Sequence, residues 1–322
     1  MATIHVRSIP HHYDLSAPRP GRCPIIFIHG WLLSRHYWQP MVDLLSEDYQ
    51  CLAYDLRGFG DSQPGAVGGG NSAIALNSLT HSSADQSSQR RRFESYTPRA
   101  YAEDIGELMD RLGIEKAWLV GHSLGGTVAL WGGHHLGDRI AGVVCLNAGG
   151  GIYLETEFRT FRTVGQRLVK WRPRWLKHLP LLHWGLCYDS VAHPLPVRWG
   201  RQRVLDFMGA DSEAALGSLL TSTTRTEVHR LPHLVSQLKQ PAYFIGGQAD
   251  PIMEPRYVRH LASYHPLFEP NGANLIELQG CGHLAMVEQP GAVVRHLRQI
   301  LERHPRPATP TVPPRQPLVP QP

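Results

Sequence analysis

Short apolar segments alternate with longer amphipathic segments along most of the chain. Six apolar segments of four or five residues are typical of strands, namely Ile25–Ile28, Gln50–Tyr54, Ala117–Val120, Gly142–Leu146, Ala242–Ile245 and Asn274–Leu278. Several are apolar at almost every position, as expected for strands that are covered on both faces. Helical patterns lie between or after them, over Pro98–Leu112, Leu124–Leu136 and Ala292–Arg303. This alternation predicts the α/β class with a mostly parallel sheet.

Three segments depart from the alternation. Residues 64–96 are rich in Gly, Ser, Asn and Gln and contain three consecutive arginines, which favours a flexible, low-complexity insertion. Residues 304–322 carry many prolines and no core-forming pattern, which predicts a disordered tail. Residues 151–232 form a helical, tryptophan-containing segment between two predicted strands, and they divide the core into residues 1–150 and 233–303.

The composition is that of an ordinary globular protein with a substantial core, at 322 residues and 42% hydrophobic content. No apolar run approaches the ~20 residues that span a bilayer, and the N-terminus shows no secretory signal pattern. The five cysteines are far apart and form no CxxC pair, which favours reduced thiols in a cytoplasmic protein. Among the 19 histidines, the adjacent pairs His11-His12 and His134-His135 have the wrong spacing for a shared metal, because neighbouring side chains point apart, and no metal site is predicted.

The strongest chemical signal is the segment Leu119–Gly126, where an apolar strand runs into Gly-x-Ser-x-Gly and a helical pattern follows at once. Gly121 and Gly125 lie two residues to either side of Ser123. Small residues at these positions permit the sharp, strained turn that exposes a serine at the end of a strand. The N-terminus of the helix that follows favours negative charge at this place. Ser123 is therefore the predicted nucleophile.

A serine hydroxyl needs a base, and the base needs a carboxylate that orients it. Asp250 follows one predicted strand, and His283 follows the next one in a glycine-rich loop. Strand ends are where α/β sheets place their sites, and the order Ser…Asp…His is a known order of such triads. Taken singly, Asp250 could cap a helix and His283 could be an ordinary loop histidine. Together with Ser123 they favour a catalytic triad.

A further strand ends in His29-Gly30-Trp31, close to where the substrate carbonyl would lie. We predict that the backbone N–H groups of Trp31 and Leu124 form an oxyanion hole, which stabilises the charge that develops in acyl transfer. His29 is interpreted as a structural residue that forms hydrogen bonds within its loop. His122 is interpreted as shaping the turn rather than acting as the base, because neighbouring side chains diverge.

These motifs make the chain resemble the α/β-hydrolase superfamily, through HGW, YDLRGFGDS, GHSLGG, GGQADPIMEP and GCGHLAMVEQP. The resemblance covers Pro24–Asp61, Thr97–Gly150 and Leu234–Arg303. It implies a doubly wound α/β sheet with a helical cap inserted after the sixth strand, and a reaction without a cofactor. It also implies Ser123 as nucleophile, His283 as general base and acid, and Asp250 as the group that orients the imidazole.

The resemblance narrows the branch of the superfamily. Serine at position 123 disfavours the epoxide hydrolase and haloalkane dehalogenase branches, which use aspartate there. The HGW opening is similar to that of serine esterases, lipases and haloperoxidase-like perhydrolases, although Leu32 stands where many perhydrolases have proline. Some relatives place the acid after the preceding strand, where this chain has Asn147 and no carboxylate.

Substrate choice in this family rests mainly on the cap. Apolar residues at spacings of three and four follow one face of a predicted helix, namely Phe158, Phe161, Val164, Leu168 and Trp171. Either this stripe packs over the core, or it forms an interfacial helix that meets a lipid or membrane surface. In both cases we expect an apolar pocket lined by Trp31, Leu32, Phe158, Phe161, Trp171, Trp175, Leu182 and Trp184.

The net charge of +5 is concentrated in the cap, because residues 151–203 contain ten Lys and Arg against three Asp and Glu. A basic cap suits contact with a membrane or lipid, and no nucleic-acid motif accompanies the charge. We therefore predict a serine hydrolase of lipophilic carboxylic esters, in the cytoplasm or at the periphery of a membrane. The alternatives are a lipase-like enzyme, a carbon–carbon hydrolase, an acyltransferase, or a non-catalytic ligand-binding member of the family.

Overall fold

The computed structural model describes residues 1–64, 93–149, 155–172 and 182–305, and its centre is an eight-stranded sheet. The strands are β1 (Ala2–Val6), β2 (Ile9–Leu15), β3 (Ile25–Ile28), β4 (Cys51–Tyr54), β5 (Ala117–His122), β6 (Ile140–Leu146), β7 (Ala242–Gly247) and β8 (Leu275–Leu278). All six predicted strands form, each within two residues of the predicted bounds.

Strands β3 to β8 pair in parallel, in the spatial order β4-β3-β5-β6-β7-β8. β1 and β2 form an antiparallel hairpin that extends the sheet beyond β4. The sequence pattern did not predict this hairpin, because polar and partly exposed residues, including His11 and His12, interrupt its apolar alternation. The mostly parallel α/β architecture is confirmed.

Eleven α-helices lie in the described ranges: α1 (Gln39–Leu45), α2 (Pro98–Leu112), α3 (Leu124–Leu136), α4 (Glu155–Lys170), α5 (Leu182–Leu186), α6 (Val197–Gly209), α7 (Ser212–Ser222), α8 (Arg225–Gln237), α9 (Pro255–Ala262), α10 (Ala285–Glu288) and α11 (Pro290–Arg303). α2 and α3 match their predicted bounds, and α11 begins two residues before the predicted start. Thr97 caps α2, because its Oγ1 accepts a hydrogen bond from the Ala100 N–H at 3.1 Å.

The sheet is covered on both faces, as expected for a doubly wound fold. Ile26 and Ile28 pack into one apolar cluster with residues of α2, α3, α8 and α9. Ile25 and Phe27 point to the other face, where they pack with residues of α1 and α11. Alternate residues of one strand therefore serve two separate cores, which explains why β3 is apolar at every position.

The two segments predicted to be irregular lie mostly outside the described residues, but their described ends differ from the prediction. Residues 94–96 form a 3-10 turn in which Tyr96 is buried beneath α7. His304 contacts the ring of Trp118, and its Nε2 lies 2.9 Å from the Tyr243 hydroxyl. Residues 94–96 and His304 are therefore packed against the core. The predicted irregular segments, 64–96 and 304–322, each included residues that belong to the folded core.

Helices α4 to α8 lie between β6 and β7, where the predicted cap was placed. The predicted boundary at residue 232 falls inside α8, with Pro232 in the middle of that helix. Proline commonly ends a helix. Here Leu231, Leu234 and Val235 are buried in the same apolar core as residues of α3 and α9, and the helix continues through the proline.

Asp206 connects the helices inserted between β6 and β7 to the rest of the fold. It lies buried on α6, and its carboxyl interacts with the side chains of Ser34 and Tyr37, which precede α1. Burial raises the pKa of Asp206 to about 7, although hydrogen bonds, including one from Gln202 Nε2 at 2.9 Å, lower it. The pKa of an aspartate in an unfolded chain is about 3.9. The folded protein therefore binds the Asp206 proton more tightly than the unfolded chain does. The stability that this proton gives the fold at acidic pH is lost as the pH rises from about 4 to about 7.

We expect Asp206→Asn to remove this loss. The free energy of unfolding of the variant, relative to the wild type, is expected to rise by about 2 kcal/mol between pH 5 and pH 8. Urea unfolding at the two pH values measures the difference. Asp189→Asn, which changes an exposed carboxylate on the same cap, is the control and is expected to show no such rise. Parallel pH dependences for wild type and Asp206→Asn would contradict this role.

Candidate active site

Ser123 occupies a sharp turn between β5 and α3. Its backbone has φ 51° and ψ −116°, a conformation that non-glycine residues rarely adopt. The turn is held on both sides, because the Ser123 N–H donates to the Leu146 carbonyl at 3.1 Å and its own carbonyl accepts from Gly126 at 2.9 Å. The predicted strained turn is present, with the serine at the carboxyl end of a central strand.

Both flanking glycines are required by close backbone approaches. A Cβ on Gly121 would lie 2.0 Å from the Gly125 carbonyl oxygen, and a Cβ on Gly125 would lie 2.2 Å from the Ile28 carbonyl oxygen. Neither neighbour is a flexible side chain that could move away. The Gly-x-Ser-x-Gly spacing therefore fixes how closely α3 packs against β3 and β5.

We expect Gly125→Ala to destabilise the protein by several kcal/mol, about 3 or more, because the methyl group must displace the backbone of β3. Thermal unfolding measures the effect. Gly185→Ala is the matched control, since nothing lies within 4 Å of a Cβ at that helical position. Equal melting temperatures for Gly125→Ala and the wild type would contradict the packing described here.

Asp250 and His283 form a buried pair next to each other. Asp250 Oδ2 accepts a hydrogen bond from His283 Nδ1 at 2.8 Å, and its Oδ1 accepts from the N–H groups of Ile252 and Met253 at 2.9 Å. Burial favours a raised pKa for Asp250, but the charge and hydrogen bond of His283, with the other donors, outweigh it and lower the pKa. Asp250 is thus held ionised, and it engages Nδ1 of His283, which leaves Nε2 as the ring nitrogen not bound to this carboxylate.

Asn147 takes part in this arrangement, although the sequence patterns assigned it no role. It follows β6 with φ 49°, and its Nδ2 donates to Asp250 Oδ2 and to the Gly282 carbonyl, both at 2.9 Å. The Asn147 amide therefore fixes the position of the Asp250 carboxylate relative to the loop that carries His283. Its place directly after a central strand was the one signal in the sequence that could have identified it.

Glu288 on α10 is a second residue that the sequence patterns missed. Its carboxylate accepts backbone N–H groups on both sides of His283, from Gly282 and Leu284 at 2.9 Å each. It also accepts the Ala192 N–H at 2.8 Å, which ties a cap segment to the same loop. Glu288 therefore acts as a positioning residue, and its place in the GCGHLAMVEQP motif was the available signal.

His122 links the serine turn to the histidine loop. Its Nε2 donates to the His283 carbonyl at 2.7 Å, and the two rings lie 4.8 Å apart. Burial, together with the neighbouring His283, lowers the pKa of His122 to about 3. A neutral imidazole bound in this way supports the structural interpretation of His122, and it brings residue 123 next to the loop that carries His283.

The predicted oxyanion loop lies directly beside Ser123. A Cβ on Gly30 would be 3.2 Å from Ser123 Cβ. His29 holds the loop, since its Nδ1 donates to the Gly30 carbonyl at 2.8 Å and its Nε2 accepts the Leu56 N–H at 2.9 Å. Leu32 has φ 56°, which completes a tight turn after Trp31. The second predicted donor is the N–H of Leu124. Leu124 is the first residue of α3, so its N–H has no acceptor within the helix.

The predicted pocket residues fall into four groups. Trp31 and Leu32 are partly buried beside Ser123, and Trp31 Nε1 donates to the Ala215 carbonyl of α7 at 2.9 Å. The side chains of Phe158 and Phe161, and the whole of Trp175, lie outside the described residues. Leu182 is half-buried on α5. The remaining two, Trp171 and Trp184, are 83% and 52% exposed and do not line an enclosed pocket, which corrects the prediction.

The described ranges contain neither a metal-binding cluster nor a membrane-spanning helix. No cluster of three or more His, Cys, Asp or Glu side chains that could hold a metal is found there. No helix in those ranges is both long and apolar enough to cross a bilayer. The five cysteines all lie in the described ranges, and all are buried.

Comparison with known proteins places this geometry in a family. Residues 24–290 match the family model described as the alpha/beta hydrolase fold. The uncharacterized hydrolase YugF of Bacillus subtilis is 24% identical over 297 residues, covering 90% of this chain and 93% of that protein. A soluble epoxide hydrolase of Corynebacterium is 29% identical over 108 residues, which is 34% of this chain and 28% of that protein.

Solved structures share the same architecture. A thermophilic esterase from Thermogutta terrifontis superposes with a TM-score of 0.69 at 22% identity, covering 95% of this chain and 99% of that one. The family model spans most of the sequence. The chain belongs to the α/β-hydrolase superfamily.

Proposed function

We propose that the protein is a serine hydrolase that cleaves carboxylic esters through an acyl-enzyme. The observation that carries this proposal is the Asp250–His283 hydrogen bond at 2.8 Å, in a loop that His122 joins to the strained turn of Ser123. An imidazole oriented by an ionised carboxylate is the base that a serine hydroxyl needs. A non-catalytic binding protein would need none of these three groups.

The first half of the reaction forms the acyl-enzyme. Ser123 Oγ attacks the ester carbonyl carbon while His283 Nε2 takes the hydroxyl proton. The carbonyl oxygen becomes an oxyanion, which the N–H groups of Trp31 and Leu124 would stabilise. The tetrahedral intermediate collapses, the carbon–oxygen bond to the alcohol breaks, and His283 gives its proton to the leaving alcohol. The acid part of the substrate remains bound to Ser123.

The second half releases the acid. Water takes the place of the alcohol, His283 Nε2 removes its proton, and the resulting hydroxide attacks the acyl carbonyl. The same oxyanion contacts act again, and the proton returns from His283 to Ser123 Oγ as the ester bond breaks. Asp250 keeps its negative charge throughout and stabilises the transient imidazolium.

The surroundings of Ser123 favour a lipophilic acyl or alkyl group. Trp31 and Leu32 are the apolar side chains that follow the glycine of the oxyanion loop. Helix α4 approaches this loop closely, since a Cβ on Gly165 would lie 3.3 Å from Trp31 Cη2 and 2.7 Å from Leu219 Cδ2. The wall formed by α4, α7 and Trp31 offers apolar contact to a substrate chain, and burial of that chain would strengthen binding.

Hydrolysis of p-nitrophenyl esters of increasing acyl length tests this proposal. We expect a burst of nitrophenol equal to the amount of enzyme, and kcat/KM that rises with acyl length from acetate upward. Turnover in the presence of a primary alcohol separates hydrolysis from acyl transfer, because a transferase would yield mainly the new ester. The absence of turnover with every ester would contradict the esterase proposal, and would direct the search to carbon–carbon bond cleavage.

A further inference from the structure

The apolar stripe predicted on the first cap helix faces outward. On α4, Val164 is 50% exposed, Leu168 is 48% exposed and Trp171, directly after the helix, is 83% exposed. Residues at spacings of four and three share one face, so these three side chains form a single surface. We call this surface the α4 outer face. The sequence allowed the stripe either to pack over the core or to meet a lipid surface, and these three residues of it face outward.

Two arginines fix the orientation of α4. Arg162 Nη1 donates to the carbonyls of Leu220 and Thr223, at the C-terminal end of α7, at 3.0 and 2.7 Å. Arg172 donates to the carbonyls of Phe207 and Ala210, at the C-terminal end of α6, at 2.6 and 2.9 Å. Helix C-termini carry unsatisfied carbonyls and partial negative charge, so both contacts are favourable.

The inward side of α4 packs closely against α7. Gly165 and Val169 are buried, and Gly165 lies so close to Leu219 that a Cβ would approach its Cδ2 at 2.7 Å. Rotating the helix to bury Leu168 and Trp171 would break the hydrogen bonds of Arg162 and Arg172 and leave their acceptors unpaired. Exposure of the α4 outer face is therefore built into the packing of the cap.

The charge around this face is positive. Arg167 and Lys170 are both exposed on α4 itself, next to the apolar Leu168 and Trp171 in the sequence. A helix that carries Trp and Leu on one face with Arg and Lys at its border has the composition of helices that lie in the interface of anionic bilayers.

We propose that the α4 outer face docks on an anionic lipid bilayer, with Leu168 and Trp171 inserted among the acyl chains and Arg167 and Lys170 against the headgroups. The positive charge favours an anionic membrane over a zwitterionic one, and it opposes the pairing of two identical basic faces. Docking would place the cap, and with it the approach to Ser123, toward the source of lipophilic esters. Binding itself does not depend on the esterase proposal, because it is measured without substrate.

Flotation of the full chain with lipid vesicles tests the proposal. We expect binding to vesicles of equal parts phosphatidylcholine and phosphatidylglycerol, and at least about tenfold weaker binding to phosphatidylcholine alone. Leu168→Ser with Trp171→Ser is expected to weaken binding to the anionic vesicles at least about tenfold. Leu44→Ser, an exposed leucine on α1 of the core, is the matched control and is expected to bind like the wild type.

A charge variant gives an independent readout. Arg167→Gln with Lys170→Gln is expected to weaken binding at low salt and to match the wild type at high salt, where screening removes the electrostatic part. The proposal is overturned if the wild type does not bind the anionic vesicles, or if the Leu168 and Trp171 changes leave binding unaltered. It is also overturned if light scattering shows a wild-type dimer that these changes dissociate, because a second copy would then cover the face.

Discussion

Replacement of Ser123 by alanine is expected to lower kcat for ester hydrolysis by at least about 10⁴-fold, with little change in stability. The side-chain hydroxyl is the only group removed, and no acyl-enzyme can form without it. The strained backbone at residue 123 is held by hydrogen bonds of the main chain to Leu146 and Gly126, which alanine retains. Stopped-flow measurement with a p-nitrophenyl ester should show no burst phase for the variant.

Two further variants sharpen this prediction. Ser123→Cys keeps a nucleophile on the same turn and is expected to retain a burst, with slower release of the acyl group. Ser190→Ala, which lies in the cap segment behind His283 and contacts the histidine loop through its main-chain carbonyl, is expected to leave kcat within a few-fold of the wild type. Wild-type turnover by Ser123→Ala would show that the nucleophile is another residue.

Replacement of Asp250 by asparagine is expected to lower kcat by about 10³- to 10⁴-fold near neutral pH. If the asparagine oxygen keeps the N–H groups of Ile252 and Met253, its amide faces His283 Nδ1 and the Asn147 amide, which are both donors. His283 then avoids the clash by placing its proton on Nε2, where it can no longer accept the proton of Ser123. Steady-state kinetics between pH 6 and 10 measure the loss.

Asn147 offers a specific check on this explanation. Its amide already reaches Asp250 Oδ2, the oxygen that binds the histidine. Asn147→Asp combined with Asp250→Asn restores a carboxylate beside His283. The kcat of this double variant is expected to be at least about tenfold higher than that of Asp250→Asn alone. Equal activity of the single Asp250→Asn variant and the wild type would mean that the histidine is oriented by something else.

The central strands, and the positions of Ser123, Asp250 and His283 at strand ends, could be predicted because their physical causes are local. A strand buried on both faces must be apolar throughout, and the turn at Ser123 needs glycine at both Gly121 and Gly125. Asp250 and His283 each follow a strand that the apolar pattern had already identified. Parallel strands bring their carboxyl ends to one edge of the sheet. The positions of these residues after their strands were therefore sufficient to predict that they lie near one another.

The features that were missed depend on contacts between distant segments. The partners of Asn147 lie in the loops of Asp250 and His283, more than a hundred residues further along the chain. The orientation of α4 was left open by the sequence, which allowed the apolar stripe either to pack over the core or to meet a lipid surface. The face points outward because Arg162 and Arg172 donate hydrogen bonds to carbonyls at the ends of two other helices. The spacing of apolar residues in the sequence does not predict these contacts.

Covalent trapping of the nucleophile tests the central claim most directly. The folded wild-type protein would be treated with a fluorophosphonate, and its intact mass and labelled peptide would be determined by mass spectrometry. The triad geometry predicts one phosphonyl group per chain, located on Ser123 and absent from Ser123→Ala, with labelling slowed in Asp250→Asn. An unlabelled wild-type protein, or a phosphonyl group on another residue, would contradict the assignment of Ser123 as the nucleophile of a serine hydrolase.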